Sequence, residues 1–382
     1  MGCSVTPRPE AGAERGRVEA ILVISLTGIG NTLLFTPALQ MLRRLHPDAR
    51  IDALVEGKGS RDILEGNPDV NHILDLRLAS TGLRALTVVR RLRDERYDLS
   101  ITTFPSNRPR FNVFTWMIGA RERVIHSYPD SRGQALTFLQ TKLVPAQKGM
   151  HDIVQNMRLV CDALPDGIGQ GGRLPRPILH LREEDRDFAK RYLDGLGRRS
   201  CVIAMHPGSS AGRLHQQGAK RWPAGNFCRA ALLLEKELDA AVLVMCGPDE
   251  EDLYRRIGRF AADQRLRNVH FPKGTIRQMA GLVERCDALI SSDTGLMHIA
   301  TAVKTPVIAL FGPTNPERTG PVWEECTILM GAPCACRPCL RYPLDTMCSS
   351  IDCADPRCWQ NLTPERVVEE VKKALVRWRP RQ

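Results

Sequence analysis

Residues 288–303 read ALISSDTGLMHIATAV, and this stretch decides the fold class. The apolar run Ala288–Ser291 predicts a buried β-strand, and Gly295–Val303 predicts the helix that follows after a short loop. The same order of strand, loop and helix recurs along the chain. This order is typical of parallel sheets, in which a helix connects each strand to the next, so we expect an α/β fold.

The alternation of strands and helices runs through both halves of the chain. The first half opens with the strand Ile21–Ile24, and a helix carrying Leu33 to Leu42 follows and ends at Pro47. Further strands are predicted at 51–55, 72–76, 99–103, 123–126, 201–205, 241–246, 269–271 and 307–311. Further helices are predicted at 83–96, 224–238, 250–262, 276–285 and 364–378, the last with Thr363 as its N-cap.

The length of 382 residues favours two domains. The glycine-rich segment 167–172, followed by prolines, predicts the linker between them. We therefore expect a disordered tail at 1–17, a first domain at 18–172, a second at 173–362 and a C-terminal helix at 363–382. Each domain is predicted to be a doubly wound, Rossmann-like parallel sheet.

Composition and charge exclude several classes of protein. The sequence has no run of eighteen apolar residues and no signal peptide at 1–17, so we expect a cytoplasmic protein without a membrane-spanning helix. The net charge of +11 is spread over both halves, which leaves no basic arm for nucleic acid. The positive charge suits anionic substrates, peripheral contact with the inner face of the cytoplasmic membrane, or simple solubility. We expect a monomer.

Three loops between a strand and a helix carry residues that suggest chemistry, because ligands bind at the carboxyl ends of parallel strands. The first, LTGIGNT at 26–32, lacks the third glycine of a dinucleotide fingerprint, and a tight turn without a ligand explains it as well. The second, HPGSS at 206–210, leads to KRWP at 220–223. Its small residues expose N–H groups for phosphate oxygens, although Lys220 and Arg221 could be an ordinary solvated pair.

The third loop is SSDTGLMH at 291–298, where a strand ends and a helix begins. Thr294 and Gly295 could offer unpaired N–H groups at the positive end of the helix dipole. The alternative is that Asp293 is only an N-cap.

Taken in order, these loops resemble glycosyltransferase family 9, which includes the bacterial lipopolysaccharide heptosyltransferases. The most specific match is SDTGLMHIA at 292–300 continuing into TPVIALFGPT at 305–314. Shorter matches are TPAL at 36–39, YDL at 97–99, HD at 151–152, HPG at 206–208 and KRWP at 220–223. The resemblance extends from about Ile21 to Val371.

The resemblance implies a GT-B fold, in which two doubly wound domains face a central cleft and bind the acceptor and the donor respectively. It also implies an inverting, metal-independent transfer, with N–H donors and a cation stabilising the departing nucleoside diphosphate. Lys220, Asp293 and Asn31 are the candidates for a direct part in catalysis. The candidate donor-binding residues are Ser209, Ser210, Lys220, Met245, Asp293, Thr294, Gly295, His298, Gly312, Pro313 and Thr314. The candidate acceptor-binding residues are Gly28, Gly30, Asn31, Thr32, Arg108 and Arg110.

One position departs from the family pattern. The family has an aspartate, the presumed general base, directly after the glycine of the first loop, and this chain has Asn31 there. An amide can hydrogen-bond a hydroxyl but has no carboxylate to take its proton. Three explanations remain open: another group takes the proton, the acceptor needs little help, or the chain binds without catalysis.

Two further groups of residues have no assigned role. Six cysteines lie between Cys334 and Cys358, and the pair Cys336 and Cys339 has metal-knuckle spacing without a second such pair. A structural metal, reversible disulfides and reduced thiols are the alternatives there. Five arginines crowd the helix predicted at 83–96, as a solvated face or as a contact for phosphorylated lipid headgroups. They are Arg84, Arg90, Arg91, Arg93 and Arg96.

We therefore expect a glycosyltransferase that needs no cofactor besides its nucleotide-sugar substrate. It would move a sugar, heptose from an ADP-heptose-like donor, onto a lipopolysaccharide core or a related anionic surface glycan. The alternatives are a non-catalytic subunit that binds a nucleotide sugar, and another GT-B enzyme such as a sugar-nucleotide epimerase.

Overall fold

The computed structural model describes residues 17–76, 83–106, 109–128, 136–161, 164, 173–197, 199–209, 220–247, 250–333, 337 and 357–378, without the side chains of 83–86. The predicted linker at 167–172, the tail up to residue 16, Arg108 and Ser210 lie outside these residues, as do all the clustered cysteines except Cys358.

The first domain is built on a parallel sheet of six strands in the order β3-β2-β1-β4-β5-β6. The strands are β1 (Ala20–Ser25), β2 (Arg50–Val55), β3 (His72–Asp75), β4 (Leu99–Thr102), β5 (Glu122–Ser127) and β6 (Lys142–Pro145). The helices are α1 (Ile29–Leu45), α2 (Lys58–Leu64), α3 (Leu83–Asp94), α4 (Pro109–Ile118) and α5 (Asp152–Val160), and a 3₁₀ turn spans Thr137–Leu139. The strand order reverses between β1 and β4, which is the switch point where ligands bind in such sheets.

The second domain repeats this topology, in the order β12-β11-β10-β7-β8-β9, again with every pair parallel. Its strands are β7 (Cys201–His206), β8 (Ala240–Val244), β9 (Val269–His270), β10 (Ala288–Ser292), β11 (Val307–Phe311) and β12 (Cys326–Met330). Its helices are α6 (Glu183–Asp194), α7 (Ala224–Leu238), α8 (Glu251–Asp263), α9 (Ile276–Glu284), α10 (Gly295–Ala302), α11 (Pro316–Thr319) and α12 (Pro364–Trp378), with a 3₁₀ turn at Arg357–Trp359. The switch point here lies between β7 and β10.

The two doubly wound sheets expected from the sequence are therefore present. The predicted strands and helices agree with the structure to within one or two residues at most ends, and Thr363 accepts the N–H of Arg366 as the expected N-cap of α12. The first helix begins earlier than predicted, at Ile29, so Gly30, Asn31 and Thr32 lie in its first turn. A bilayer-crossing helix is absent from the described part of the chain, whose helices are too short or too polar.

The two domains share one apolar core, which joins α1 and α5 of the first to α9 and α10 of the second. Beside this core, the backbone N–H of Ile178 donates to the Thr36 hydroxyl of α1 at 2.8 Å, so the chain entering the second domain stays against the first. Burying apolar side chains from both domains together fixes how the two sheets face each other.

Arg277 on α9 forms a buried polar link between the domains. It is only 5% exposed. Its guanidinium pairs with Asp185 at 2.9–3.0 Å, and donates to the carbonyls of Asp62 and Glu65 at the end of α2 at 2.9 and 2.8 Å. The fork of N–H groups thus satisfies otherwise unpaired carbonyls at a helix C-terminus of the other domain.

We expect Arg277→Ala to lower the free energy of unfolding by about 3–5 kcal/mol, because it leaves a buried carboxylate without its charge partner. Urea denaturation measures this loss. Arg285→Ala is the control, since Arg285 is exposed at the end of the same helix and should change stability by less than about 0.5 kcal/mol. Equal losses for the two variants would contradict the role given to Arg277.

Candidate active site

The starts of helices α1 and α10 meet across the boundary between the domains. A Cβ atom built on Gly295 would lie 3.4 Å from the backbone N of Gly30 and 3.2 Å from Ile29. One built on Gly30 would lie 3.6 Å from the Cα of Gly295. A side chain at either position would crowd Ile29 or His298, so glycine at both positions favours the close contact between the two helix starts.

Neither helix start is neutralised by its own sequence. Gly28 caps α1 and Thr294 caps α10, in both cases without a hydrogen bond from the cap side chain to the helix, and neither first turn contains an acidic residue. The Thr294 hydroxyl instead bonds that of Ser291 at 3.1 Å. Each start therefore keeps its unpaired N–H groups and a partial positive charge of about half a unit, which together favour a bound anion.

His298, in the second turn of α10, lies directly against this contact. Its Cδ2 would be 3.1 Å from a Cβ on Gly30, and the residue is only 4% exposed. Burial lowers the pKa of His298, opposed by the charge of nearby Asp293, so the ring is neutral at neutral pH. Its Nδ1 is buried and has no hydrogen-bond partner among the described residues. A neutral imidazole thus stands beside the first turn of α1 with its Cδ2–Nε2 edge toward Gly30, and its unpartnered Nδ1 lies on the other side of the ring.

The loop after β7 and the segment that starts with Lys220 close a second side of the same site. The backbone N–H of Trp222 donates to the Ser292 hydroxyl at 3.4 Å, which ties this segment to the end of β10. Lys220 is two residues away, within about 7 Å of that point along the chain. No ion pair to Lys220 exists within the described ranges, and the residue is partly exposed. Lys220 is therefore a candidate to contact an anion bound near the end of β10.

A buried carboxylate supports the loop after β7 from beneath. Glu250 lies so close to Gly208 that any Cβ on that glycine would overlap its carboxylate. One oxygen accepts the N–H of Gly247 at 2.7 Å, and the other faces the Arg221 guanidinium at 3.8 Å. Arg221 also donates to the Ser209 carbonyl at 3.4 Å. Charge and hydrogen bonds thus support the described start of this loop, up to Ser209.

The motif His151-Asp152 joins the first domain to α11, the short helix beside Asp293. Arg318 donates to Asp152 at 2.8 Å, and His151 Nε2 donates to the Gly320 carbonyl at 3.1 Å. Because His151 Nδ1 accepts the N–H of Ile153, its tautomer is fixed, and burial lowers its pKa to about 4. The Thr319 hydroxyl then reaches Asp293 at 3.2 Å. The motif therefore holds the loop that carries Asp293.

The remaining predicted residues fall into three groups. At the start of α1, Gly28 is exposed and Asn31 is half-buried. The Thr32 hydroxyl forms a hydrogen bond with the hydroxyl of Ser25, at the end of β1. The Met245 side chain lies in the core, and its carbonyl accepts from His206 at 2.6 Å. Arg110 is exposed in the first turn of α4, at the end near β4.

The donor-binding assignment of Gly312, Pro313 and Thr314 stays a prediction, and one sequence alternative is wrong. Gly312, with the buried Pro313 and Thr314, packs against the Trp359 ring, which a Cβ would overlap, and leads into α11. The alternative of Asp293 as an N-cap is wrong, because Thr294 is the cap and Asp293 accepts from Thr319. Within the described residues no group of three or more His, Cys, Asp or Glu could hold a metal ion.

Comparison with known proteins identifies the family of this chain. The sequence model of the family described as glycosyltransferase family 9 (heptosyltransferase) matches residues 85–348. The chain belongs to this family. The solved structure of the Escherichia coli ADP-heptose lipopolysaccharide heptosyltransferase II superposes with a TM-score of 0.70 at 21% identity, covering 94% of this chain and 99% of that one. The GT-B fold is thereby confirmed.

The chain is also similar in sequence to two proteins that are each named lipooligosaccharide heptosyltransferase 2. The one from Campylobacter jejuni serotype O:6 is 30% identical over 173 residues, 45% of this chain, and the match spans about half, 51%, of that protein. The one from Haemophilus influenzae is 27% identical over 325 residues, which are 81% of this chain and 88% of that protein.

Sequence reasoning did not single out Glu250, Arg318 or Thr319. Glu250 follows β8 at the carboxyl edge of the sheet, so the strand-end rule that selected the other loops could have found it. Arg318 and Thr319 carry no local signal, because their partners Asp152 and Asp293 are distant in the sequence.

We expect Gly295→Ala to lower the free energy of unfolding by about 1–3 kcal/mol, because its methyl group would overpack the contact with Ile29 and Gly30. Differential scanning calorimetry measures the change. In the control Gly225→Ala, the new methyl group points into open space in the first turn of α7, and the same exchange should stabilise by up to about 1 kcal/mol. Stabilisation by both variants would show that the helix starts are not in tight contact.

Proposed function

We propose that the chain transfers heptose from an ADP-heptose-type donor to a lipopolysaccharide core acceptor, by an inverting displacement without a resident metal. One observation carries the proposal. Two helix starts that have no side-chain cap hydrogen bond meet at Gly30 and Gly295, and the segment of Lys220 is tied to the end of β10 nearby. Two converging positive ends and an ammonium group form a site for a diphosphate. One chain supplies all of these elements, so a monomer suffices.

The names of the relatives support the sugar and the acceptor. The similar Escherichia coli structure is that of an ADP-heptose lipopolysaccharide heptosyltransferase. The Campylobacter and Haemophilus relatives are lipooligosaccharide heptosyltransferases. These names support a lipopolysaccharide-type acceptor for this chain, and we propose that it acts at the inner face of the cytoplasmic membrane.

In the proposed reaction, an acceptor hydroxyl oxygen attacks the anomeric carbon of heptose from the face opposite the diphosphate. The bond between this carbon and the phosphate oxygen breaks, and the diphosphate leaves with the electron pair. The N–H groups of Gly295 and its neighbours, with Lys220, stabilise the charge that accumulates on the leaving group. These donors are preorganised, so they perform the charge stabilisation that a metal ion provides in other transferases.

The acceptor proton needs a recipient other than Asn31. We propose that His298 takes it through Nε2, because the neutral ring presents its Cδ2–Nε2 edge to Gly30, next to Asn31, with Nε2 3.7 Å from a Cβ position on that glycine. Asn31 then hydrogen-bonds the acceptor and orients it. Asp293, whose charge opposes the lowering of the His298 pKa, stabilises the imidazolium that forms.

A second candidate function, binding of a nucleotide sugar without transfer, is favoured by one observation, the amide at Asn31. The two functions differ in turnover. A binder would hold the donor without releasing ADP in the presence of any acceptor.

We expect Lys220→Ala to lower kcat/KM for transfer by about 10²–10³-fold, the cost of losing one preorganised contact to the leaving group. The assay follows ADP release from ADP-heptose with a heptose-free lipopolysaccharide acceptor. Lys236→Ala is the control, since Lys236 is exposed at the far end of α7 and should retain full activity. Donor binding without ADP release in the unaltered protein would reject the transferase and support the binder.

A pair of substitutions tests the proton recipient. His298→Gln should lower kcat by about 10²-fold and remove the acid limb of the pH profile, where activity falls as pH drops through the lowered histidine pKa. Adding Asn31→Asp to His298→Gln should restore part of the activity and move the limb into the carboxylate range. An unchanged pH profile in His298→Gln would show that His298 does not take the proton.

A further inference from the structure

The outer face of the first domain carries a group of exposed apolar side chains on α4, the 3₁₀ turn and β6. Trp116 is 52% exposed, Phe138 78% and Leu143 42%. Exposed single apolar residues are common, but two aromatic rings and a leucine on one face form an unusual surface for a soluble domain.

Hydrogen bonds bring these three residues to the same face. The Gln140 amide donates to the Asn112 carbonyl at 3.0 Å and bonds the Thr115 hydroxyl at 2.9 Å, which fixes the 3₁₀ turn against α4. Val144 points into the core with α1 and α5, so its neighbour Leu143 points to the opposite side of the sheet. That side is the one covered by α3 and α4, whose inner residues form a separate core.

The segment that includes α3, which packs against α4, is rich in positive charge. Between residues 83 and 123 the chain has nine arginines and four acidic residues. Arg90, Arg91 and Arg93 are exposed on α3, and no carboxylate pairs with them in the part of the chain that the structure describes. Arg93 extends to within 3.8 Å of a Cβ position on Gly119, which follows α4 directly. Unpaired arginines therefore border the apolar group.

We propose that this face, defined by Trp116, Phe138, Leu143 and the arginines of α3, docks on an anionic lipid bilayer. The rings would enter the boundary between headgroups and acyl chains, while the guanidinium groups would bind lipid phosphates. A second copy of the chain suits the face less well. A two-fold contact would bring two sets of unpaired arginines together, with no carboxylate to offset them.

The inference rests on the proposed function in one respect, the lipid anchor of the acceptor. Helix α4 begins at the carboxyl edge of β4, beside the cleft, and Arg110 lies in its first turn. Trp116 is six residues further along, about 9 Å at the helical rise. A docked face would hold the cleft close to the bilayer surface, within reach of a sugar chain attached to a lipid.

Sedimentation with vesicles tests the docking. The full chain should bind phosphatidylglycerol and phosphatidylethanolamine vesicles, but not phosphatidylcholine vesicles, and high salt should weaken the binding. The variant Trp116→Ala with Phe138→Ala should reduce the bound fraction about tenfold. The control Leu45→Ala with Val376→Ala removes exposed apolar side chains elsewhere, at 52% and 86% exposure, and should bind normally.

The charge is tested with two matched triple substitutions. Exchanging Arg90, Arg91 and Arg93 for alanine should reduce binding about tenfold or more, because each basic residue near an anionic surface adds to the affinity. Exchanging Arg255, Arg256 and Arg259, three exposed arginines of α8, removes the same charge from the other domain and should not reduce binding.

Two results would overturn the docking surface. One is equal vesicle binding by the patch variants and their controls. The other is a concentration-dependent dimer, seen by sedimentation equilibrium, that the Trp116→Ala with Phe138→Ala variant abolishes, since a second copy would then cover the face. ADP release with a lipid-free acceptor should be unchanged in every patch variant. If the unaltered protein releases no ADP with this acceptor, the result counts against the proposed function and not against the docking surface.

Discussion

The structure depends on one close approach, between the start of α1 in the first domain and the start of α10 in the second. Two positive helix ends repel each other, so this approach has to be maintained by other contacts. The shared core, the Arg277 link to the end of α2 and the pairing of Arg318 with Asp152 provide them. An anion bound between the two ends would remove the repulsion, so the fold and the proposed diphosphate site have the same physical origin.

Buried side chains hold the backbone of the described loops around this contact in place. Glu250 occupies the space beside Gly208, Trp359 occupies the space beside Gly312, and His151 is held as a neutral donor to Gly320. None of these groups needs to contact a substrate in order to matter. They fix backbone positions, and preorganised backbone donors are effective only when they do not move as charge develops.

Much of the fold could be predicted from the sequence, because apolar runs such as Val307–Phe311 and Ala224–Leu238 are buried along their whole length or along one face. Two strands, β6 and β12, and five helices, α2, α4, α5, α6 and α11, were not predicted. Edge strand β6 buries only Val144, and α2 has seven residues. In the site, the motif around Gly295 was recognised, but its contact with Gly30 was not, since it joins residues from different domains. Asp293 was open to a local interpretation as a cap because its partner Thr319 is 26 positions away.

The two sheets have the same strand order, but they do not present equivalent helices to each other. The first domain offers the helix that follows its first strand, whereas the second offers the helix that follows its fourth. The pairing is therefore offset, because α1 and α10 do not occupy equivalent positions in the two sheets. A duplicated architecture thus meets in an asymmetric contact, so the two sides of the proposed site differ in their residues, as a reaction between two chemically different partners requires.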